Sequence, residues 1–394
     1  MRLPDPPDPF ILFDDARSVN PAPARLYRDP VELIVARDYG DVQVALDRIG
    51  EAADRGLHAA GYVGYDAAFA LEPRLASKAP ARGAGEMPLV WFGLFDGFRY
   101  VEPDDVPAML PAPGSAGAGM PRPLIERCEY EAAFEGVQEA IKAGDTYQVN
   151  LTFPCEASLL GDPRAIYAAL RPHARSGYGG IVYTGEDWLL SFSPELFFTL
   201  VRGQLTARPM KGTALRGRDA ATDEDMMAQL RNDPKQRAEN LMIVDLLRND
   251  LSRVSLAGSV TVPELFHVET FPTVHQMTST VRARILPGLS AIDVLRTIFP
   301  CGSITGAPKV RAMEVIADIE HAARGPYTGA IGRIDADGNA AFNVAIRTIS
   351  VKDGANTGRI GLGSGVVVDS LCDAEWRECL DKGRFLTPLQ TDME

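Results

Sequence analysis

The stretch "WLLSFSPELFFTLVRGQLTARPMKGTALRG", Trp188 to Gly217, decides the fold reading. "WLLSFSPELFFTLV" is a strand-like run rich in aromatic and aliphatic residues. Arg202-Gly203 reads as a turn, and "GQLTARPM" resumes the strand pattern, so the two runs predict an antiparallel pair. Glu195 and Lys211 then stand sixteen residues apart at matching ends of two strands, which brings them close together. Lys211 sits between Pro-Met and Gly-Thr, a tight frame that a surface lysine does not need. A carboxyl group among apolar residues can stay protonated and serve as an acid. A lysine with the ordinary pKa near ~10.4 is a free amine in only about one molecule in 2,500 at pH 7. A nucleophilic lysine therefore needs burial or a nearby cation, for which Arg208 is a candidate. A salt bridge between Glu195 and Lys211 is the plainer reading, and at this point both stand.

Working outward, strand-like runs recur at "TYQVNLTF", "GGIVYTG", "YTGAIGRI", "AFNVAIRTISV" and "RIGLGSGVVVDS". Helical patterns occupy "CEYEAAFEGVQEAIKAG", "PKQRAENLMIVDLLRND", "APKVRAMEVIADIEHAA" and "DAEWRECLDKGRFL". In the first of these helices Tyr130, Phe134, Val137 and Ile141 share one face. Strands in neighbouring pairs with helices between them predict an α+β sandwich rather than a doubly wound sheet. Residues 1–101 read as α/β material, 102–123 as a Pro/Gly/Ala-rich linker or crossing segment, and 124–394 as the main domain.

With 394 residues, 40 Lys plus Arg and 53 Asp plus Glu, the net charge is −13. That sign disfavours nucleic acid as the main partner, and an anionic substrate would have to be met by local positive groups. The five cysteines, Cys128, Cys155, Cys301, Cys372 and Cys379, form no CxxC pair, so neither a disulfide framework nor a zinc site is suggested. No apolar run approaches a membrane span and the first residues do not read as a signal peptide, so a cytoplasmic protein is expected.

Glu375 and Glu378 lie three apart on a helical pattern and project from one side. Glu239 borders an apolar stripe read from Leu241, Val244 and Leu247. Carboxylates from two helices facing one cavity would suit a hard divalent cation such as Mg²⁺, while a solvated acidic face is the alternative. "FPCGSITGAPKVRAMEVI" is a Gly-rich turn entering a helix, which offers free N–H groups to an anion but lacks the spacing of a nucleotide P-loop. In "GLGSGVVVD" the last glycine of a dinucleotide fingerprint is replaced by Val366, which excludes that site. Arg347 is a cation in a mostly apolar strand pattern and needs a partner, either a structural carboxylate or a ligand. Tyr327 and His275, taken singly, read as core or hydrogen-bonding residues.

Taken together, "GDTYQVNLT", "SPELFF", "RPMKGT", "RAENLMIVDLLRND", "GSITGAPKVRAMEVI", "YTGAIG", "VAIRT" and "GLGSGVVVDS…AEWRE" resemble the chorismate-utilising enzymes, in family order from about Leu124 to Leu386. "ILFDDARS" and "GYVGYDAAFALEP" are more loosely similar to the family's N-terminal region. The resemblance implies a layered α/β/β/α sandwich with two large, mainly antiparallel sheets face to face. It also implies the branch of the family that converts chorismate and ammonia to 4-amino-4-deoxychorismate for p-aminobenzoate and folate synthesis. Lysine at the Lys211 position marks that branch, where anthranilate-forming relatives usually carry alanine. Carried over, Lys211 is the nucleophile that attacks ring carbon 2, and Glu195 is the acid that helps the 4-hydroxyl leave. Glu239, Glu375 and Glu378 would hold Mg²⁺. Tyr327, Arg347 and the backbone at Gly363 and Gly365 would hold the enolpyruvyl carboxylate, with Ser303 and His275 near the substrate and Lys309 able to steer or bind it. Gln148 stands where water-using relatives have a lysine base, which points to ammonia as the incoming nucleophile. Gln236 replaces an acid found in many relatives and is left out of the metal set. "LFDD", Leu12 to Asp15, replaces the Leu-Leu-Glu-Ser of tryptophan-inhibited relatives. No glutaminase segment is visible, so a separate glutamine amidotransferase subunit is expected to supply ammonia. The alternatives are the anthranilate-forming activity and a non-catalytic ligand-binding homologue.

Overall fold

The computed structural model describes residues 2–83, 85–270 and 274–387. The opening stretch does form strands, but it is cut where the sequence reading left it whole. Asp187–Ser191 belongs to one sheet and Leu196–Val201 to another, so "FSPE" is a crossing between sheets. Pro194 has no N–H to give a ladder, and a strand stops before it readily. The return crossing lies beside this one. Ala340–Val344 pairs with Leu196–Val201, and Thr348–Lys352 pairs with Asp187–Ser191, so residues 345–347 jump between the same two sheets in the opposite direction. The Phe192 N–H donates to the Arg347 carbonyl at 2.9 Å and holds the two crossings together. Glu195 and Arg347 therefore arise at one place in the fold.

Each sheet is large and antiparallel: among the described residues, eleven strands in the one that holds Asp187–Ser191 and ten in the other. Along the strands the side chains alternate between two buried faces. Ile11, Val182 and Leu189 point at Tyr62, Trp91 and Ile331 of the facing sheet. Their neighbours Phe10, Leu12, Ile181 and Leu190 point the other way, at helices that carry Tyr130, Phe134, Val137 and Ile141. On the far side of the second sheet Leu200, Leu205 and Phe342 pack on helices that carry Leu46, Leu247 and Leu295. Period-two alternation with both faces dry gives four layers, α/β/β/α.

The N-terminal residues are woven into both sheets. Phe10–Asp14 pairs with Gly179–Tyr183, and His58–Val63 pairs with Ala330–Ile334. Segment 102–123 holds a short helix, Val106–Met109, and two two-residue strands against Gln148–Leu160. Residues before and after that segment share each core. Among the described residues no helix is long and apolar enough to cross a membrane.

The stripe on helix Pro234–Ser252 is also shifted. Ile243, Val244, Leu247 and Leu251 are buried, whereas Leu241 is 43% exposed. The buried N-terminal position of the stripe belongs to Asn240, a polar residue that hydrophobic periodicity cannot detect. Its amide accepts from Ser279 Oγ at 2.6 Å and donates to the Lys211 carbonyl at 3.4 Å.

Candidate active site

Lys211 stands on a β-bulge. Gln204–Arg208 and Met210–Leu215 both run along Val274–Arg284, and their register slips between Met210 and Thr213. A bulge re-aims one side chain, and here the slip falls on Lys211 and Gly212. Gly212 has φ +99°, a conformation strained for any residue with a Cβ, which explains the glycine after the lysine. The re-aimed amine reaches the facing sheet: a Cβ at Gly365 would lie 3.0 Å from Lys211 Nζ and 2.9 Å from Gln148 Nε2. Glycine at 365 is thus the space that the amine occupies.

Among the described residues the Lys211 amine has no hydrogen-bond or ion-pair partner. Burial, and then the charge of Lys382, pull its pKa below the ordinary lysine value, while Glu239, Glu378 and Glu195 pull the other way. Lys382 went unread in the sequence, although its signal was there in the i,i+4 spacing from Glu378. Its Nζ pairs with Glu378 at 2.7 Å and donates to the Gly363 carbonyl at 2.8 Å. Arg208, the cation expected in that role, is instead paired with Glu269.

Glu195 does not pair with Lys211. It is 5% exposed, and its Oε1 accepts from Ser303 Oγ at 2.7 Å. Burial pushes its pKa up to about 7, against the opposing pull of Ser303, the Lys211 charge and the Met210 N–H. Ser303 is fixed on the turn Gly302–Ile304, which is the contribution of the Gly-rich stretch.

Arg347 has φ +49° and is half-buried on the return crossing. No carboxylate pairs with it among the described residues, and burial alone lowers its pKa. That removes the structural ion pair as its explanation and leaves a guanidinium available to an anion. Tyr327 lies over Gly361, where a Cβ would meet its ring at 2.0 Å. Gly363 and Gly365 pair with Thr152 and Asn150 on the neighbouring strand.

Two expected substrate residues are turned elsewhere. Lys309 Nζ donates to Asp250 Oδ2 at 2.7 Å, to the Ile298 carbonyl at 2.7 Å and to the Pro300 carbonyl at 3.2 Å. All three donors are used inside the protein, so none is left for substrate. His275 is fully buried, with Nε2 2.9 Å from Asp223 Oδ1 and Nδ1 3.0 Å from Thr270 Oγ1. Both ring nitrogens are occupied away from Lys211 and Glu195.

Glu239 comes from the helix over one sheet, and Glu375 and Glu378 from helix Cys372–Lys382 over the other. They are electrostatic neighbours: burial first, and then the charges of Glu378 and Glu375, push the Glu239 pKa up against the pull of Lys211 and Lys235. Glu375 accepts from Ser370 Oγ at 2.6 Å. Among the described residues no three His, Cys, Asp or Glu side chains already converge as a metal cage. The donor chemistry, carboxylate oxygen throughout, suits a hard divalent cation. Gln236 Oε1 lies 3.1 Å from where a Cβ at Gly212 would stand, beside Lys211. At "LFDD" the acceptors are already used: Asp14 by Arg171 and Tyr167, Asp15 by Arg17 and the Ala22 N–H.

The family model described as chorismate binding enzyme matches residues 9–388. The chain belongs to the chorismate binding enzyme family. Within it, the chain is 44% identical over 267 residues to aminodeoxychorismate synthase component 1 of Salmonella typhimurium, a match that covers 68% of this chain and 58% of that protein. The chain thus spans less than two thirds of that relative's length. It is 34% identical over 345 residues to anthranilate synthase component 1 of Methanothermobacter marburgensis, covering 83% of this chain and 73% of the relative. The crystal structure of anthranilate synthase component I from Streptococcus pneumoniae TIGR4 superposes with a TM-score of 0.77 at 26% identity, covering 98% of this chain and 94% of that one. The layered family fold read from the motifs is the fold observed.

Proposed function

We propose that this chorismate binding enzyme is component I of an aminodeoxychorismate synthase, which converts chorismate and ammonia to 4-amino-4-deoxychorismate and water. The observation that carries the reading is the Lys211 amine, which is unpaired among the described residues, lowered in pKa and aimed at Gly365 of the facing sheet. The relative at 44% identity bears the same activity in its name.

In the proposed reaction Lys211 Nζ forms a bond to ring carbon 2 and the ring double bond shifts. The carbon 4–oxygen bond breaks, and the hydroxyl leaves as water with the proton from Glu195. Burial holds that proton on Glu195 near neutral pH, and Ser303 fixes the carboxyl in place. Ammonia then bonds to carbon 4, the double bond shifts back, the carbon 2–Nζ bond breaks to restore the free lysine, and a proton from the new ammonium returns to Glu195. Arg347 and Tyr327 take the enolpyruvyl carboxylate, and an arginine fork matches a carboxylate in two hydrogen bonds. Glu239, Glu375 and Glu378 would hold magnesium, which when bound supplies positive charge to the ring carboxylate and offsets the three glutamates. A glutamine amidotransferase subunit is the proposed source of ammonia, and p-aminobenzoate and folate synthesis the proposed destination of the product.

The test is incubation with chorismate, Mg²⁺ and ammonium, followed by identification of the amino product. A product aminated at carbon 4 that retains the enolpyruvyl group supports the reading. Anthranilate and pyruvate would assign the chain to the other activity represented among its relatives.

A further inference from the structure

"GYVGYDAAFALEP" was singled out in the sequence, yet none of its residues enters the reaction above. In the structure, His58–Val63 ends at Gly64, and Tyr65–Ala67 forms a tight turn against the loop that carries Tyr327. The Gly325 N–H donates to Asp66 Oδ2 at 2.7 Å, and the Gly325 carbonyl accepts from the Tyr65 N–H at 2.8 Å. Both backbone groups of one residue, two before Tyr327, are thus gripped by a turn that lies more than 250 residues earlier in the chain. Asp66 and Tyr65 are each 1% exposed.

The adjacent Arg324 extends this grip to the rest of the site. Its guanidinium lies 4.4 Å from the centre of the Tyr65 ring and pairs with Glu320 at 2.7 Å. It also donates to the Asn150 carbonyl at 2.7 Å, on the strand that pairs with Gly365, and to the Ile304 carbonyl at 3.1 Å, next to Ser303. Beyond Tyr327, the Thr328 N–H donates to the Ala345 carbonyl at 2.9 Å, two residues before Arg347. The loop is therefore tied at one end to the Asp66 turn and at the other to the crossing that presents Arg347.

We propose that Asp66 is a positioning residue of the active site, which fixes Tyr327 relative to Arg347 by holding Gly325. It touches no reacting atom, and its role in chorismate binding rests on the function proposed above.

The experiment compares Asp66→Ala, Asp66→Asn and Tyr327→Phe in steady-state kinetics with chorismate and saturating ammonium. Hydrogen exchange of the amides of residues 324–329 is measured alongside. Asp66→Ala loses a charge-assisted hydrogen bond, so its KM for chorismate should rise about tenfold with kcat within about threefold, and exchange in the loop should quicken about tenfold. Asparagine keeps an acceptor for the Gly325 N–H and should restore both readouts to within about twofold of wild type. In the Asp66→Ala/Tyr327→Phe double variant the two KM effects should fall short of additive, because both act through one side chain. An unchanged KM and unchanged loop exchange in Asp66→Ala overturn the proposal, and so does an asparagine variant as impaired as alanine. If the alanine variant does not fold, Asp66→Ser, too short to reach Gly325, takes its place. If the wild type turns over no chorismate the functional reading fails, and the exchange measurement still decides whether Asp66 holds the loop.

Discussion

Two lysines of this chain, Lys211 and Lys309, look alike in the sequence: each follows a proline closely, in a segment dense in small residues. Their surroundings are opposite. Lys309 has Asp250 and two carbonyls at hydrogen-bond distance and is held as a charged strut between the helix Lys309–Ile319 and the segments beneath it. Among the described residues Lys211 has no such partner; it has a neighbouring cation in Lys382 and a bulge that directs it toward the facing sheet. A buried lysine whose donors are all used contributes to the fold, whereas one left unpaired stays available for chemistry because its charged form is disfavoured. The same contrast separates the arginines: Arg324 is fully engaged with Glu320 and backbone carbonyls, and among the described residues Arg347 has no carboxylate.

Substituting the two lysines is the sharpest way to break this comparison. Lys211→Ala should lower turnover of chorismate by on the order of 10³–10⁶-fold, as loss of a covalent nucleophile does, with the urea midpoint unchanged. Lys309→Met should do the reverse. It strands Asp250 in the interior and should cost about 3–5 kcal/mol of stability, while the folded fraction keeps its turnover. Equal effects of the two variants on either readout would erase the distinction.

Glu195 supplies a second test, on pH. Its pKa is about 4.5 in the unfolded chain and about 7 in the folded protein, so folding favours its protonated form. The sign follows: its contribution is fully present below about pH 4.5 and is lost as pH rises through about 7. Glu195→Gln should therefore gain stability relative to wild type between pH 5 and 8, by at most about 3 kcal/mol, while turnover falls about 10²–10⁴-fold. Parallel stability curves for the two proteins would contradict the raised pKa. A smaller effect is expected at the unpaired arginine. Arg347→Lys keeps the charge but loses the fork, and should raise KM for chorismate about tenfold with kcat little changed.

Much of this was legible in the residues. Alternation along the strands and the face formed by Tyr130, Phe134, Val137 and Ile141 gave the sandwich, and these side chains are buried as expected. What the sequence hid has physical causes. The sheet change at "FSPE" was hidden because both flanking strands are mostly apolar and buried, so hydrophobic alternation does not mark the crossing and Pro194 is its one local signal. Asn240 was hidden because a polar residue on a buried stripe is invisible to hydrophobic periodicity. The separate fates of Lys211 and Lys309, and the engagement of His275 by Asp223, depend on contacts between segments far apart in the chain. The charge of Lys382 lay within a quoted helix and was read only as part of an acidic face. The grip of Asp66 on Gly325 joins positions 259 residues apart, beyond any local pattern.

The central claim is that burial and Lys382 lower the pKa of the Lys211 amine at the place proposed for substrate. Trace acetylation of Lys211 as a function of pH, followed on its own peptide with and without chorismate, tests this most directly. The account predicts a midpoint below the ordinary lysine value of 10.5, a shift back upward in Lys382→Ala, and protection by chorismate. A Lys211 that titrates like a surface lysine, indifferent to both Lys382 and chorismate, would contradict it.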